Sequence, residues 1–413
     1  MHFDFERVLP VLHLRSLGYS SLLALAIAAP ASAQMTPEQV WTLLEDYMKT
    51  SGAEVAVGDS KRSGERLVLS NVTLNTTQED IGTTTVAINE IVLRDIGDGK
   101  VEITSSPETK VMSRLTVEEG EAIENEMIVL TEGNVTIASG TPEQPIFDFT
   151  TERFSLKQKT EVADEVAPFT ADISGEKLSG SVKLDLKASP RQADYKLAME
   201  KLSVVTAGSA EGEEGEPASD FQVDLLLEKL TSSYVGSMPE SSLTPTDALP
   251  ALDGKLSYST GPMVMKVKAS GPMPMAAAFL SRSSALDLQF ASTGGTFSYD
   301  LQGLGIASGE NLPAVNESAS NLAAKGEMTV PATGPNGTAD LEAAYGKVTL
   351  ELSGLTPLLD GIVAAKLASA EDVAGIKMMM GFFTRPGSGT DSIAVDLEQT
   401  ADGKMLINGE EMP

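Results

Sequence analysis

The sequence predicts a mainly β protein with a few helices. It predicts a long, curved, bulged antiparallel sheet with an N-terminal helix and a C-terminal helical hairpin packed on it. From about residue 65 to 353, apolar residues recur with a period of two between short turns, which is typical of antiparallel strands with one buried face. Helix-capping patterns flank this region. After residue 33 no apolar run approaches the roughly 20 residues that a membrane helix needs, so no transmembrane segment is expected in the mature chain.

The first 33 residues predict an export signal. The apolar segment 22–29 is too short to span a bilayer, and the small residues Ala31, Ser32 and Ala33 follow it in the pattern that signal peptidase reads. We expect cleavage after Ala33 and a periplasmic location. The alternative is a buried helix of the mature domain, but a cleavage pattern followed directly by a new helix cap disfavours it.

A helix is predicted to begin after Thr36. Thr36 and Gln39 have the spacing of a capping box, and Pro37 suits the first turn of a helix. The apolar face of this helix is formed by Val40, Leu44, Tyr47 and Met48. We expect this face to pack on the sheet, because the acidic polar face disfavours a helix lying on a membrane.

Four strand segments share a more specific pattern, in which two alternating apolar residues, a two-residue slip and two more apolar residues follow one another. These segments are 67–74, 86–93, 197–204 and 299–306. A shift of one residue turns a strand's side chains to the other face, so each slip predicts a β-bulge. The predicted bulges lie at Ser70-Asn71, Asn89-Glu90, Glu200-Lys201 and Gln302-Gly303. They would curl the sheet into a trough with an apolar concave side; the alternative is that the strands end there.

The mature chain is predicted to contain two β halves. Residues 34–206 hold the N-terminal helix and the first half, and residues 221–413 hold the second. Between them, the Gly/Glu-rich segment 207–220 predicts an acidic loop or linker. Near the C-terminus, Thr356 and Ser369 are the expected caps of a helical hairpin over residues 356–385. A β-hairpin with its turn at Asp402-Gly403 closes the chain.

The residue types argue against most catalysis. The chain has no cysteine, and His2 and His13 both leave with the signal peptide. The mature protein therefore lacks the usual general base, the thiol nucleophile and the imidazole or thiolate ligands of zinc and copper sites. We expect no enzyme, no catalytic or metal-binding residues and no cofactor. The net charge of −29 also makes nucleic acid a poor partner.

Three motifs have a chemical and a structural interpretation, and the structural one is favoured for each. Ser174 and Lys177 have the S-x-x-K spacing of penicillin-binding enzymes, but the partner motif Lys-Thr-Gly is missing. Methionine pairs that could bind cuprous ion are also typical filling of an irregular apolar surface. These are Met263 with Met265 and Met273 with Met275. The Asp95–Asp98 and Asp402-Gly403 segments lack the ligand spacing of a calcium loop, so turns are expected there.

The C-terminal segment carries a family resemblance. Gly381-Phe-Phe-Thr-Arg-Pro-Gly387 and Gly403-Lys-Met-Leu-Ile-Asn-Gly409 resemble an uncharacterised family of alphaproteobacterial secreted proteins grouped as domain of unknown function two-one-two-five. More distantly, the Asn-Gly end of a strand behind a helix looks like the AsmA-like periplasmic proteins, whose long curved sheets are associated with lipid movement between membranes. Because this chain lacks their membrane anchor, the resemblance implies a soluble carrier or accessory factor.

The expected function is a non-enzymatic periplasmic protein that binds a lipid or another apolar ligand in a β trough during maintenance of the cell envelope. The residues expected to line the ligand are Leu359, Ile362, Met379 and Phe383. The alternative is a periplasmic scaffold with a fully packed sheet, whose acidic loops meet an envelope protein partner.

Overall fold

The computed structural model describes residues 35–50, 52–78, 82–116, 122–162, 169–210, 219–237, 254–270, 277–291, 294–308, 316–318, 320–329, 331 and 343–411. Within these segments the chain forms three helices and one antiparallel sheet of 22 strands. The helices are α1 (Pro37–Thr50), α2 (Leu355–Ala364) and α3 (Ala370–Phe383). The predicted fold class is therefore confirmed, whereas the predicted signal peptide lies outside the described residues.

The strands follow one another as a meander. The first ten are β1 (Ala53–Ser63), β2 (Arg66–Gln78), β3 (Gly82–Gly97), β4 (Lys100–Ser105), β5 (Glu108–Thr116), β6 (Ala122–Glu132), β7 (Val135–Thr141), β8 (Gln144–Val162), β9 (Phe169–Asp185) and β10 (Gln192–Ala210). The others are β11 (Ser219–Ser237), β12 (Gly254–Thr260), β13 (Met263–Ser270), β14 (Ala277–Ala291), β15 (Gly294–Ser308), β16 (Asn316–Ser318), β17 (Asn321–Thr329), β18 (Tyr345–Ser353), β19 (Arg385–Pro386), β20 (Ser392–Gln399), β21 (Met405–Ile407) and β22 (Glu410–Glu411). At four places two shorter strands lie end to end and pair with the same neighbouring strand, so that together they occupy one strand position of the meander. These pairs are β4/β5, β6/β7, β12/β13 and β16/β17.

A line of interrupted pairing crosses the strands, and we call it the crease. On the longer strands it passes through Gly58, Asn71, Asn89, Glu152, Lys177, Glu200 and Lys229, and between the shorter strands it passes through Gly133 and Gly261. Asn71, Lys177 and Lys229 have φ angles of 53°, 52° and 54°, in the left-handed region that residues other than glycine seldom adopt. At Gly58 a Cβ atom would lie 3.0 Å from the Asn71 Cβ, so the close approach of β1 and β2 there favours glycine.

Every strand that crosses the crease reverses the phase of its side chains there. In β9, Ala171 and Ile173 are buried before the crease, and Val182 and Leu184 are buried after it. The two pairs differ in parity, so the apolar side chains would face opposite sides of a regular strand. The reversal keeps them on one face of the sheet, which we call the inner face; the opposite face is the outer face.

The predicted bulges take a different form at three of the four places. At Ser70-Asn71, Asn89-Glu90 and Glu200-Lys201 neither strand gains a residue, because both neighbours skip the same pair and the register is unchanged on either side. Only next to Gln302-Gly303 does the register shift, where β15 meets β14 near Ser283. The phase slip in the sequence is therefore real, but neighbouring strands share it.

The main core lies on the inner face of the first ten strands. Its buried residues come from α1 and from β2 to β9, and they form a single cluster. Helix α1 makes its main contacts with β1, β2 and β3, so it covers one end of this cluster. Other residues of the cluster, such as Phe147 and Leu184, are also buried. They are buried because apolar side chains on the same face of the sheet contact one another. Such contacts require the sheet to curl.

Local signals for the helix ends are mostly confirmed. In α1, the Gln39 amide donates to Thr36 Oγ1 at 3.3 Å and the Thr36 amide donates to Gln39 Oε1 at 3.0 Å, which forms the predicted capping box. Ser369 and Asp372 form a second capping box at α3. The prediction that Thr356 caps α2 is wrong, because Gly354 is the N-cap. The Thr356 hydroxyl donates instead to Asp391 Oδ1 at 2.9 Å.

The hairpin between the two predicted halves is tighter than the sequence indicates. Strands β10 and β11 pair up to Ala210 and Ser219, so residues 207–210 and 219–220 of the predicted loop are strand. Residues 211–218 lie outside the described segments. The two halves therefore share one hydrogen-bonded sheet at this point.

Candidate functional site

One row of paired residues on the inner face becomes steadily more exposed from the first half of the chain to the second. Leu156 pairs with Ile173, which pairs with Val204, then Leu225, then Met265. Leu156 and Ile173 are buried, Val204 and Leu225 are half-buried, and Met265 is 38% exposed. The apolar surface that closes the core thus continues onto β11 and β13, where it is accessible.

Neighbouring rows on the inner face extend this accessible surface. Towards the end of β13, the half-buried Val223 and Val267 form the next pair. Next to the crease, Leu202, Leu227 and Met263 form another row, in which Leu227 is buried and packs in a small cluster with Met199. The surface therefore has a packed floor at the crease and half-buried sides.

Two glycines let aromatic rings lie flat on the inner face. A Cβ atom at Gly175 would overlap the ring of Phe154, and one at Gly180 would overlap the ring of Phe149. In each case the phenylalanine is the direct cross-strand partner of the glycine. The rings thus cover the backbone where β9 carries no side chain, an arrangement in which an aromatic residue packs over a cross-strand glycine.

A buried hydroxyl lies at the edge of this surface. Ser283 pairs with Met263 and is 4% exposed, and its Oγ has no hydrogen-bond partner in the described part of the chain. A buried hydroxyl without a partner costs about 1–3 kcal/mol. A ligand oxygen or amide reaching this position would remove that cost, and a few such groups orient ligands in apolar pockets.

The outer face has a concave depression of about 670 Å³ at the level of β7 to β12. Small hydroxyl residues such as Ser181 and Ser233 line it together with Val135 and Ile137. These residues alternate with the inner-face residues along their strands, so the depression lies on the other side of the sheet from the apolar rows. Its lining mixes hydroxyl groups with apolar side chains.

The four residues predicted to line a ligand do not form one surface. Leu359 is 4% exposed, on a helix that contacts β15 and β16, and Ile362 is half-buried. Met379 is 57% exposed and Phe383 is also exposed, both on α3. Leu359 is thus a packing residue, whereas the α3 residues face solvent. Leu225 was not predicted as a site residue, and Met265 was interpreted only as filling of an apolar surface, although Met265 and Val267 alternate with Lys266 and Lys268.

The arrangement of the two residues of the S-x-x-K motif, Ser174 and Lys177, does not support catalysis. Both residues lie on β9, and Lys177 Nζ contacts Glu200 Oε2 at 2.6 Å. This hydrogen bond raises the pKa of Lys177, which favours its protonated form and disfavours a role as a base towards Ser174. In the segments that the structure describes, no group of three or more His, Cys, Asp or Glu side chains could hold a metal ion.

A polar cluster fixes the end of the sheet next to α3. Asp396 accepts hydrogen bonds from Thr349 Oγ1 at 2.8 Å and from Arg385 Nη2 at 3.2 Å. These two hydrogen bonds hold the pKa of Asp396 below its usual value. Asn408 donates to the Phe383 carbonyl at 2.9 Å. The C-terminal end of α3 is therefore tied to β20 and β21.

Comparison with protein-family models, with curated proteins and with solved structures finds no match to this chain. The resemblance of the C-terminal segment to a family of secreted proteins therefore stays a prediction. Within the described residues, no helix has both the length and the apolar character needed to cross a membrane.

Proposed function

We propose that this chain is a non-enzymatic periplasmic protein that holds a lipid or another acyl-bearing ligand on the inner face of its second β half, in maintenance of the cell envelope. The Leu156–Met265 row carries the proposal. Its five residues are apolar, and their exposure rises towards β13. An acyl chain that covers this surface would gain about 25 cal/mol of favourable free energy for each Å² of apolar area removed from water.

Two further features support an elongated apolar ligand. Methionine side chains at Met263 and Met265 are flexible and polarizable, and such side chains adapt to ligands of variable shape. The Ser283 hydroxyl, which has no hydrogen-bond partner among the described residues, lies beside Met263 and offers one hydrogen bond to a carbonyl or headgroup oxygen. The proposal of a carrier without catalysis is also supported by the lack of histidine and cysteine in residues 34–413.

The test is purification of the mature protein from the periplasm without detergent, followed by solvent extraction and mass spectrometry. We expect phospholipid or another acyl species in stoichiometric amount. The double variant Leu225→Asp/Met265→Asp places two carboxylates on the accessible part of the row and should lose it. The matched control is Val235→Asp, because Val235 is an exposed apolar residue on the outer face of the same strand β11.

Leu359, at 4% exposed, is unsuitable for this test because a buried carboxylate there would unfold the helix packing. A folded wild-type protein that yields no acyl species would contradict the proposal. It would favour instead the scaffold with a protein partner. Retention of lipid by the Leu225→Asp/Met265→Asp variant would place the ligand elsewhere on the molecule.

A further inference from the structure

Helix α3 exposes an apolar stripe that nothing in the described part of the chain covers. We define this α3 stripe as Ile376, Met379 and Phe383, which lie within about 60° of one another on a helix of 3.6 residues per turn. All three are exposed. A soluble helix normally turns such an i, i+3, i+7 set towards the core. Among the side chains of α3 that the structure describes, the buried one is Val373, on a neighbouring side.

The surroundings of α3 show that the helix stands away from the sheet. A Cβ atom built at Gly375 or Gly381 meets no heavy atom within 4 Å, so those sides of the helix face open space in the described structure. The capping box of Ser369 and Asp372 stabilises the first turn of the helix, and the hydrogen bond from Asn408 to the Phe383 carbonyl holds its C-terminal end to the sheet. It is thus an anchored, ordered element whose apolar stripe is presented outwards.

The charge around α3 departs from that of the whole chain. Between Asp372 and Asp391 there is no acidic residue, and Lys377 and Arg385 lie in that interval. Lys377 is exposed and follows Ile376 directly; Lys366, in the connection before α3, is also exposed. Arg385 is paired with Asp396, and Glu371 and Asp372 lie in the first turn of α3, so Lys377 is the cation available beside the α3 stripe.

We propose that the α3 stripe docks on a lipid surface, with its apolar side chains among the acyl chains and Lys377 at the headgroup phosphates. Long lysine side chains bury their stems and keep the ammonium at such an interface. A second copy of this chain is a poor occupant, because two bodies of charge −29 repel each other. The inference rests on the proposed function for its choice of lipid, and it adds the surface from which a ligand would be collected.

The position of α3 fits this role. Helix α2, joined to α3 by a short connection, contacts β15 and β16, in the same second half of the sheet as the accessible rows of β11 and β13. A lipid surface at α3 would therefore be on the ligand-binding half of the molecule and not at α1.

The experiment is flotation of the mature protein with phosphatidylcholine vesicles, with and without phosphatidylglycerol. We expect wild-type protein to float with phosphatidylcholine vesicles and to float less with added phosphatidylglycerol at low salt, because the field of the whole chain is negative. Met379→Asp/Phe383→Asp should reduce the bound fraction about tenfold or more, because two apolar contacts are replaced by charges. Met379→Gln should reduce it less.

The control is Met112→Asp. Met112 is 53% exposed, close to the 57% of Met379, but lies on β5 in the first half. It should float like wild type. Flotation of the Met379→Asp/Phe383→Asp variant at the wild-type level, or failure of the wild type to float, would overturn the inference. So would a wild-type dimer, seen without vesicles, that this variant abolishes.

The same preparations separate this inference from the proposed function. Lipid that copurifies with a protein that does not float leaves the ligand proposal standing and overturns the docking proposal. Flotation that depends on the α3 stripe, in a protein that carries no extracted lipid, supports docking and contradicts the ligand proposal.

Discussion

The two halves of this sheet use the same strand pattern and reach different degrees of burial. In the first half, inner-face residues such as Leu93 and Phe147 are fully buried in one continuous core. In the second half, the corresponding rows on β11 and β13 are half-buried, and the described buried clusters are small. The difference does not come from the alternation of apolar and polar residues, which both halves have. It comes from what covers the face.

Helix α1 and the curl of β1 to β9 cover the inner face of the first half. In the second half the helices are placed otherwise, because α2 packs near β15 and β16 and α3 turns its apolar stripe to solvent. Contiguous apolar surface that stays accessible on a folded protein often marks a site of interaction. The second half is thus less fully packed in the described residues, and it is where the proposed ligand and lipid surface would bind.

The largest expected effect is the cost of removing one leucine from the first half. Leu93→Ala, at a residue that is 0% exposed, should lower the free energy of unfolding by about 3–5 kcal/mol, because a cavity adds to the lost apolar contacts. Leu225→Ala makes the same chemical change on the half-buried row and should cost about 1–2 kcal/mol. Urea unfolding followed by circular dichroism measures both. Equal losses would show that the second half is as tightly packed as the first.

A smaller effect is expected from adding a methyl group at Gly175, near the crease. Gly175→Ala forces a methyl group against the Phe154 ring and places it 3.0 Å from Met199 Sδ, so a loss of about 1–3 kcal/mol is expected. Adding Phe154→Leu should recover part of that loss, because the two sites share one contact. The control is Gly361→Ala on α2, where nothing lies within 4 Å and a gain of about 0.5–1 kcal/mol is expected. Additive losses in the double variant would contradict the contact.

Local signals in the sequence were enough to predict the helices and strands and some of their ends. The capping box of Thr36 and Gln39 and that of Ser369 and Asp372 each lie within four residues, so the sequence alone indicates them. The phase slip at Asn71 was also visible, because it changes the parity of apolar residues along one strand. These features decide the fold class and the face that each residue occupies.

Contacts between distant residues decided what the sequence did not show. Thr356 does not cap α2, because its hydroxyl group donates a hydrogen bond to Asp391, which is 35 residues away in the sequence. The alignment of interrupted pairs into one crease depends on the register of many strands, which no single strand reveals. Leu359 and Met379 look alike in a helical pattern, and only packing of the helices makes one buried and the other exposed. The candidate site therefore emerged from the structure.

The smallest expected effect is a pH dependence confined to the end of the second half. Hydrogen bonds from Thr349 and then Arg385 lower the pKa of Asp396 below its ordinary value of 3.8, so its ionised form stabilises the folded state. That stabilisation is present above about pH 4, the unfolded value, and is lost as pH falls through the lower folded pKa. Hydrogen-exchange protection of β18 and β20, corrected for intrinsic rates, should fall over this range while that of β2 and β3 changes less.

The Asp396→Asn variant should remove this pH dependence. The control variant Asp287→Asn, at an exposed carboxylate of β14, should keep it. An unchanged slope in Asp396→Asn would mean that the α3 anchor does not depend on this carboxylate, and the second half would then loosen for a different reason.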